Sequence, residues 1–319
     1  MKKAARLLSR RDFVQTSVKG IIGLAVMPTI LTSCSNWKGA NDRITVAHIG
    51  VGSRGTDELI SYFLPVKDAM NIAVADTFKR RRENAVNVIN TYYKDNKLAT
   101  PECKAYLNFQ EILERKDIDA VHITTPDHWH VPAAILSARA GKHIMLAKPL
   151  GLSYPDFMKL KAEVAKYDVR FHYGTQQRTS PHMQLACNLI EEGVIGDIVR
   201  ADVWAPGGGG ENPQCKEAPV PDGFDYERWT GPAPLHPYCP ERVTNIGSWY
   251  TNDYSIGFLA GWGAHPLDEA IISDTISHMG DIAIRTGRKV TWDPIKGEVT
   301  GDHEANRQYI RELRSPYTI

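Results

Sequence analysis

The stretch Gly50-Val51-Gly52-Ser53-Arg54-Gly55 carries glycines at the spacing of a dinucleotide cradle. Alone the pattern is weak. Here it follows the β-type run "RITVAHIG" (43–50) and opens the helical run "TDELISYF". Gly50 would allow the tight turn, Gly52 a close backbone approach to a pyrophosphate, and Gly55 the packing of helix on strand. The start of the helix, at Ser53 and Arg54, offers unpaired N–H groups and a positive dipole end to phosphate. Asp76 ends the second β-type run, where its carboxylate would bond ribose hydroxyls and repel a 2′-phosphate. NAD is therefore expected ahead of NADP, although Lys79, Arg80 and Arg81 follow closely. A second group, "TTPDHWH" (124–130), holds His128 and His130. Two histidines without a third ligand do not make a zinc site, and no metal is expected.

These residues need a scaffold. The runs "NIAVAD" (71–76), "IDAVHIT" (118–124), "KHIMLA" (142–147) and "VRFHYG" (169–174) are short and rich in β-branched or aromatic residues. Helical patterns such as "FQEILER" (109–115) and "PAAILSARAG" (132–141) lie between them. Alternating strands and helices imply βαβ units in a doubly wound parallel sheet, here over residues 43–178. Beyond it, "PHMQLACNLIEEG" (181–193) reads as a helix and "GDIVRADVW" (196–204) as a strand. A Gly/Pro-rich stretch then runs from Pro206 to about Pro240.

The motifs together resemble the glucose–fructose oxidoreductase/inositol dehydrogenase/rhizopine catabolism (Gfo/Idh/MocA) family. The matching marks are the glycine turn, "TPDHWH", "KPL" at 148–150, "GTQQR" at 174–178, "GWGAHPLD" at 261–268, and the closing "HMGDIAIRTGRKVTWDP". The resemblance implies an N-terminal Rossmann domain that binds the dinucleotide and a C-terminal α+β domain that forms a sugar site. It implies that Lys148 lies near the nicotinamide and the reacting hydroxyl, where an ammonium polarises oxygen. It also implies that His265 exchanges the hydroxyl proton. On residue type alone, His265 reads better as a satisfied core histidine. Arg178 and Asp268 correspond to substrate-pocket positions, and Thr125, Pro126, Trp129 and His130 to the cofactor pocket.

Three departures stand out. Ala147 occupies the place of the family's usual glutamate before the lysine, and Gly261 that of an aspartate four residues before the histidine. Both changes remove carboxylates that would tune Lys148 or His265. The region 179–319 also reads as a shortened substrate domain, with "GDIVRADVW" and "KVTW" its main visible strands. Any homo-oligomer built on open sheet faces is put in question by the same shortening. The expected activity is NAD-dependent oxidoreduction of a sugar or glycoside hydroxyl. The alternatives are an NAD-dependent glycosidase working by transient oxidation and elimination, and a non-catalytic cofactor-binding member.

The N-terminus adds an address. Lys2, Lys3, Arg6, Arg10 and Arg11 precede the apolar run "GIIGLAVMPTI", and "LTSC" ends at Cys34. Arg10-Arg11 with Phe13 resembles a twin-arginine export signal, and "LTSC" a lipobox whose cysteine takes the lipid. Residues 1–34 are expected to be signal, 35–42 a tether, and the protein a periplasmic lipoprotein held to the membrane only by its acyl chains. Of the remaining cysteines, Cys103, Cys187, Cys215 and Cys239, none has metal-ligand spacing. A disulfide is chemically allowed outside the cytoplasm, with Cys215 and Cys239 closest, but the spacing gives no ground to expect one. A net charge of +1 over 319 residues offers no reason for a nucleic-acid partner.

Overall fold

The computed structural model describes residues 43–176, 180–192, 194, 215–265, 290–293, 298–308 and 314. Six parallel strands make the first sheet: β1 (Ile44–Ile49), β2 (Ala69–Ala75), β3 (Lys104–Tyr106), β4 (Ala120–Ile123), β5 (His143–Ala147) and β6 (Phe171–Gly174). Their order is β3-β2-β1-β4-β5-β6. The order reverses beside β1, so β1 and β4 leave the sheet in opposite directions and open a crevice at their carboxyl ends. This is the doubly wound Rossmann arrangement, and a C-terminal α/β region accompanies it.

Strand side chains alternate between the two faces. Ala47, Ile49, Val121 and Ile123 enter one apolar cluster with residues of the helices α3 (Gln110–Glu114), α4 (Asp127–Arg139) and α5 (Tyr154–Tyr167). On the other face Val74 packs with Leu59, Ala85 and Ile89. Those residues belong to the π-helix Leu59–Phe63, which continues α1 (Ser53–Glu58), and to α2 (Lys79–Asp95). The alternation sends His48 and His122 to this second face, where a buried polar row forms. His122 Nε2 meets Glu58 Oε2 at 2.8 Å, the two Nδ1 atoms lie 3.2 Å apart, and His48 Nε2 meets Asn71 Oδ1 at 2.8 Å. Burial, with His122 beside it, pushes the His48 pKa down to about 3, so the ring is neutral.

Two sequence expectations are corrected here. The helix expected from Pro132 starts five residues earlier, at Asp127, and Pro132 lies inside it. Proline favours a first turn, which made it a natural start. Tertiary bonds made by Asp127, His128 and Trp129 hold the extra turn. Strand β3 went unrecognised because its three residues carry no apolar run.

In the second region, α6 (Pro181–Glu191), α7 (Tyr226–Thr230), the 3-10 turn Pro240–Val243, α8 (Asn245–Trp249), α9 (Gly257–Gly261) and α10 (His303–Gln308) are short. The Gly/Pro-rich stretch supplies most of a second core, in which its Phe224, Tyr226, Trp229 and Tyr238 are buried with Tyr254 from beyond it. Phe78 stacks on Phe224 with centroids 3.7 Å apart, joining this core to the first sheet's loops. The expected strand 196–204 lies outside the described residues. The "KVTW" segment ends in β7 (Trp292–Asp293), whose antiparallel partner is β8 (Glu298–Val299). Among the described residues no helix is long and apolar enough to cross a membrane.

Cys215 and Cys239 are joined as a disulfide, with Cα atoms 5.8 Å apart, where the sequence had given no ground to expect one. The bond closes a loop of sequence separation 24 around the aromatic core. Reduction should therefore lower stability by about 3 kcal/mol. Thermal denaturation with and without dithiothreitol checks this, and an unchanged midpoint would contradict it.

Candidate cofactor and catalytic site

One cleft crosses the carboxyl ends of β1, β2, β4 and β5. Its floor includes Gly50, Gly52, Ser53, Arg54, Gly55, Asp76, Thr125, Pro126, Trp129, His130 and Lys148. Every described residue expected to touch a cofactor therefore lines the same space.

The turn is shaped by its glycines. Gly50 has φ +85°, and a Cβ there would sit 2.8 Å from the backbone of Thr124 and Thr125. A Cβ on Gly55 would run into the Gly50 carbonyl and the Thr124 hydroxyl. Gly52 differs. A Cβ there would meet only the Arg81 guanidinium, 3.5 Å away, so the protein itself leaves the space open on the cleft side. Thr125 Oγ1, in the same cleft on the Gly50 side, is buried with no hydrogen-bond partner among the described residues. An open cradle and an orphaned hydroxyl fit a dinucleotide's phosphates and ribose.

Asp76 is buried, and its carboxylate accepts from Val51 N at 2.9 Å and Phe78 N at 2.8 Å. It thus ties the glycine turn to the end of β2. Each oxygen keeps a further acceptor site for a ribose hydroxyl. Burial raises its pKa, opposed by the two N–H bonds and by Arg81 and Arg82. Arg81 lies over the Phe78 ring at 3.9 Å and also lines the cleft.

Lys148 follows the last residue of β5. Its ammonium donates to the Gly261 carbonyl and sits 4.7 Å from the Trp249 ring centroid. Burial lowers its pKa, and the Asp127 carboxylate opposes that fall. At position 261, where the sequence lacks the expected carboxylate, the backbone oxygen thus takes up the lysine.

The far wall comes from the second region: Arg228, Trp229, Val243, Thr244, Ser248 and Trp249. "TPDHWH" is the seam that holds it. Ser255 Oγ donates to Asp127 Oδ2 at 2.6 Å, and His128 Nε2 to the Trp229 carbonyl at 2.9 Å. Trp129 Nε1 is shared between the Arg228 and Trp229 carbonyls, both at 3.0 Å. Burial pushes the His128 pKa down to about 4, leaving a neutral ring that donates from Nε2.

Residues 44–175 match the family model described as the oxidoreductase family NAD-binding Rossmann fold, and 204–272 match that family's C-terminal alpha/beta domain. The two matches together span more than half of the chain. The chain belongs to the Gfo/Idh/MocA oxidoreductase family.

Two curated relatives are glycosyl hydrolase family 109 proteins of Shewanella. That of strain ANA-3 is 29% identical over 169 residues, and that of Shewanella baltica OS155 is 28% identical over 171 residues. Each alignment covers 50% of this chain and 34% of the relative, so the chain spans about a third of the length of the curated relatives it matches. Among solved structures, apo scyllo-inositol dehydrogenase from Lactobacillus casei is similar at 23% identity and a TM-score of 0.44. That match covers 49% of this chain and 44% of that one.

Within this family member, the sequence-derived site divides in two. The cofactor residues and Lys148 come together in the cleft. His265 is half-buried beyond α9 and does not line the cleft, though the Lys148–Gly261 bond brings its turn to the lysine. Arg178, Asp268 and Cys34 lie outside the described residues. Asp127, Glu58, Arg228, Trp229 and Trp249 line the cleft without having been singled out. For Asp127 the signal was present, since an acid opened the "DHWH" run. For the two tryptophans no spacing pattern could have placed them.

Proposed function

We propose that this family member is an NAD-dependent oxidoreductase acting on a hydroxyl of a sugar or glycoside, with its cofactor retained between turnovers. The observation that carries this reading is Lys148 in the same walled cleft as the glycine turn, its ammonium pinned by a carbonyl and an aromatic face. The nicotinamide, when bound, would accept hydride from the sugar carbon and, being retained, would return it to a second, carbonyl-bearing substrate in a second half-reaction. The chain's own groups do the rest. The Gly50–Gly55 turn and Thr125 hold phosphate and ribose, and Asp76 receives the adenosine ribose, favouring NAD over NADP. Lys148 stabilises negative charge on the substrate oxygen. The hydroxyl proton is assigned to His265 from the family resemblance; its side chain stands outside the cleft lining, on the turn that the Lys148–Gly261 bond holds beside the lysine. Arg178 and Asp268 belong to the sugar side.

Retention is supported by the far wall, since Trp229 and Trp249 stand across the cleft from the glycine turn. It also suits an exported, lipid-anchored periplasmic protein, the localisation proposed here. The disulfide Cys215–Cys239 supports export, because such bonds persist in oxidising compartments. A twin-arginine route carries folded proteins, so the cofactor would load before export.

The names of the curated relatives favour a second reading, a glycosidase that oxidises the sugar, eliminates the aglycone and reduces the sugar again. Incubation with a chromogenic glycoside separates the two. Keto-sugar and enzyme-bound NADH formed in equal amounts in a single turnover support the oxidoreductase. Aglycone release without net NADH supports the glycosidase and overturns the first reading.

A further inference from the structure

The carboxylates expected to tune Lys148 or His265 are absent, since positions 147 and 261 are alanine and glycine. The sheet register shows where a substitute can come from. Ile123, the last residue of β4, pairs with Leu146 near the end of β5. The segments leaving these strands, through Thr124–Asp127 and Ala147–Pro149, therefore run side by side into the cleft. His130 spans the two exits, its Nδ1 on the Pro149 carbonyl at 2.5 Å and its Nε2 on the Thr125 carbonyl at 2.8 Å. Asp127 and Lys148 both line the cleft, one from each exit.

We propose that Asp127 is a positioning residue that keeps Lys148 an ammonium, standing in for the carboxylate absent at positions 147 and 261. Ser255 fixes it there by donating to Oδ2 at 2.6 Å. That bond fixes the carboxylate at the edge of the cleft that Lys148 also lines. Ser255 lies in the second region, so the same hydroxyl that docks the two regions aims the carboxylate.

The charges facing this pair among the described residues are the following. Lys148 feels Asp127 most, with Arg54 opposing and Glu58 assisting from α1. Asp127 feels His130 and Lys148, and the Ser255 hydroxyl. Trp249 and the Gly261 carbonyl complete the lysine's surroundings from α8 and α9, with His265 beyond. Asp253 lines a second cavity behind Asp127 and is engaged by His236 Nε2 at 2.6 Å. Burial lowers the Lys148 pKa, a fall the Asp127 carboxylate opposes, and burial raises that of Asp127, a rise His130, Ser255 and Lys148 oppose.

The sign follows directly. Asp127 ionised raises the Lys148 pKa, and its neutralisation lets that pKa fall. Chemistry that needs the ammonium is then lost at lower pH. The proposal rests on the oxidoreductase reading for its kinetic consequence, but its test does not.

The test follows the Lys148 Cε resonance against pH in the full chain labelled with ¹³C-lysine, assigned by Lys148→Arg. In Asp127→Asn, whose amide oxygen still accepts from Ser255, the midpoint should fall by about one unit or more. Lys148→Met provides the reciprocal arm, because coupling is the same seen from either partner. In it the Asp127 carboxyl midpoint, followed by ¹³C, should rise by a matching amount, and this arm remains informative if Asp127→Asn does not fold. An unmoved midpoint in either folded variant overturns the proposal. Where sugar oxidation is measurable, the alkaline limb of kcat/KM should move to lower pH in Asp127→Asn. Shifted midpoints without any sugar oxidation would overturn the proposed function and leave the Asp127–Lys148 coupling standing.

Discussion

Lys148→Met should lower kcat for sugar oxidation about 10²–10³-fold, the usual loss when one donor to a developing oxyanion is removed. The dissociation constant for NAD should change by only a few-fold. Methionine keeps an unbranched side chain as far as the ε position, so the cleft is not emptied. What disappears is the charge, and with it the bond to the Gly261 carbonyl. A conformational reading of Lys148, as a strut between the two regions, makes the opposite expectation. It would place the loss in the melting temperature and leave kcat little changed. Steady-state kinetics beside thermal denaturation of the same preparation distinguishes these outcomes.

The second large effect contrasts two glycines of one turn. Gly50→Ala should destabilise the fold. Its φ of +85° lies in the left-handed region, which costs a side chain about 1–2 kcal/mol. The added Cβ also meets the Thr124 backbone at 2.8 Å, and overpacking of that kind costs about 1–3 kcal/mol more. A total of about 3 kcal/mol lowers Tm by roughly 6–12 °C for a chain of this size. Gly52→Ala should leave Tm within about a degree or two, because its Cβ meets only the Arg81 guanidinium at 3.5 Å. Its effect should fall on NAD affinity, since the methyl group occupies the space the pyrophosphate needs. Denaturation and NAD titration of both variants check the pair. Equal losses of Tm would mean that Gly52 is structural and that the cradle assignment is wrong.

The parts of this molecule legible from sequence are those set by local pattern. "RITVAHIG" alternates between faces with a period of two, and the glycines after it have backbone reasons to be glycine. That pattern was enough to locate β1, the turn and α1, and Asp76 followed from the end of the next strand. Lys148 was found by motif and took its place in the cleft. The far wall was not legible, because Trp229 reaches the cleft from an aromatic core whose residues are irregularly spaced, and Trp249 from a five-residue helix with no pattern of its own. Phe224, Tyr226, Tyr238 and Tyr254 pack by tertiary contact and leave no helical or strand period. The start of α4 was misplaced for a related reason. Local preference favours Pro132 as a first-turn residue, while the bonds from Asp127, His128 and Trp129 to residues 228–255 extend the helix backwards. The disulfide was invisible for want of geometry, since spacing alone cannot bring two cysteines to a Cα separation of 5.8 Å.

The central claim is a dinucleotide held in this cleft through many turnovers. The most direct measurement is extraction of the purified, folded protein with acid and quantification of released NAD by mass spectrometry, followed by a thermal-shift titration of the remainder. About one NAD per chain, or a clear rise in Tm on adding NAD to cofactor-depleted protein, is the expected result. No dinucleotide in the extract together with no shift at saturating NAD would contradict it.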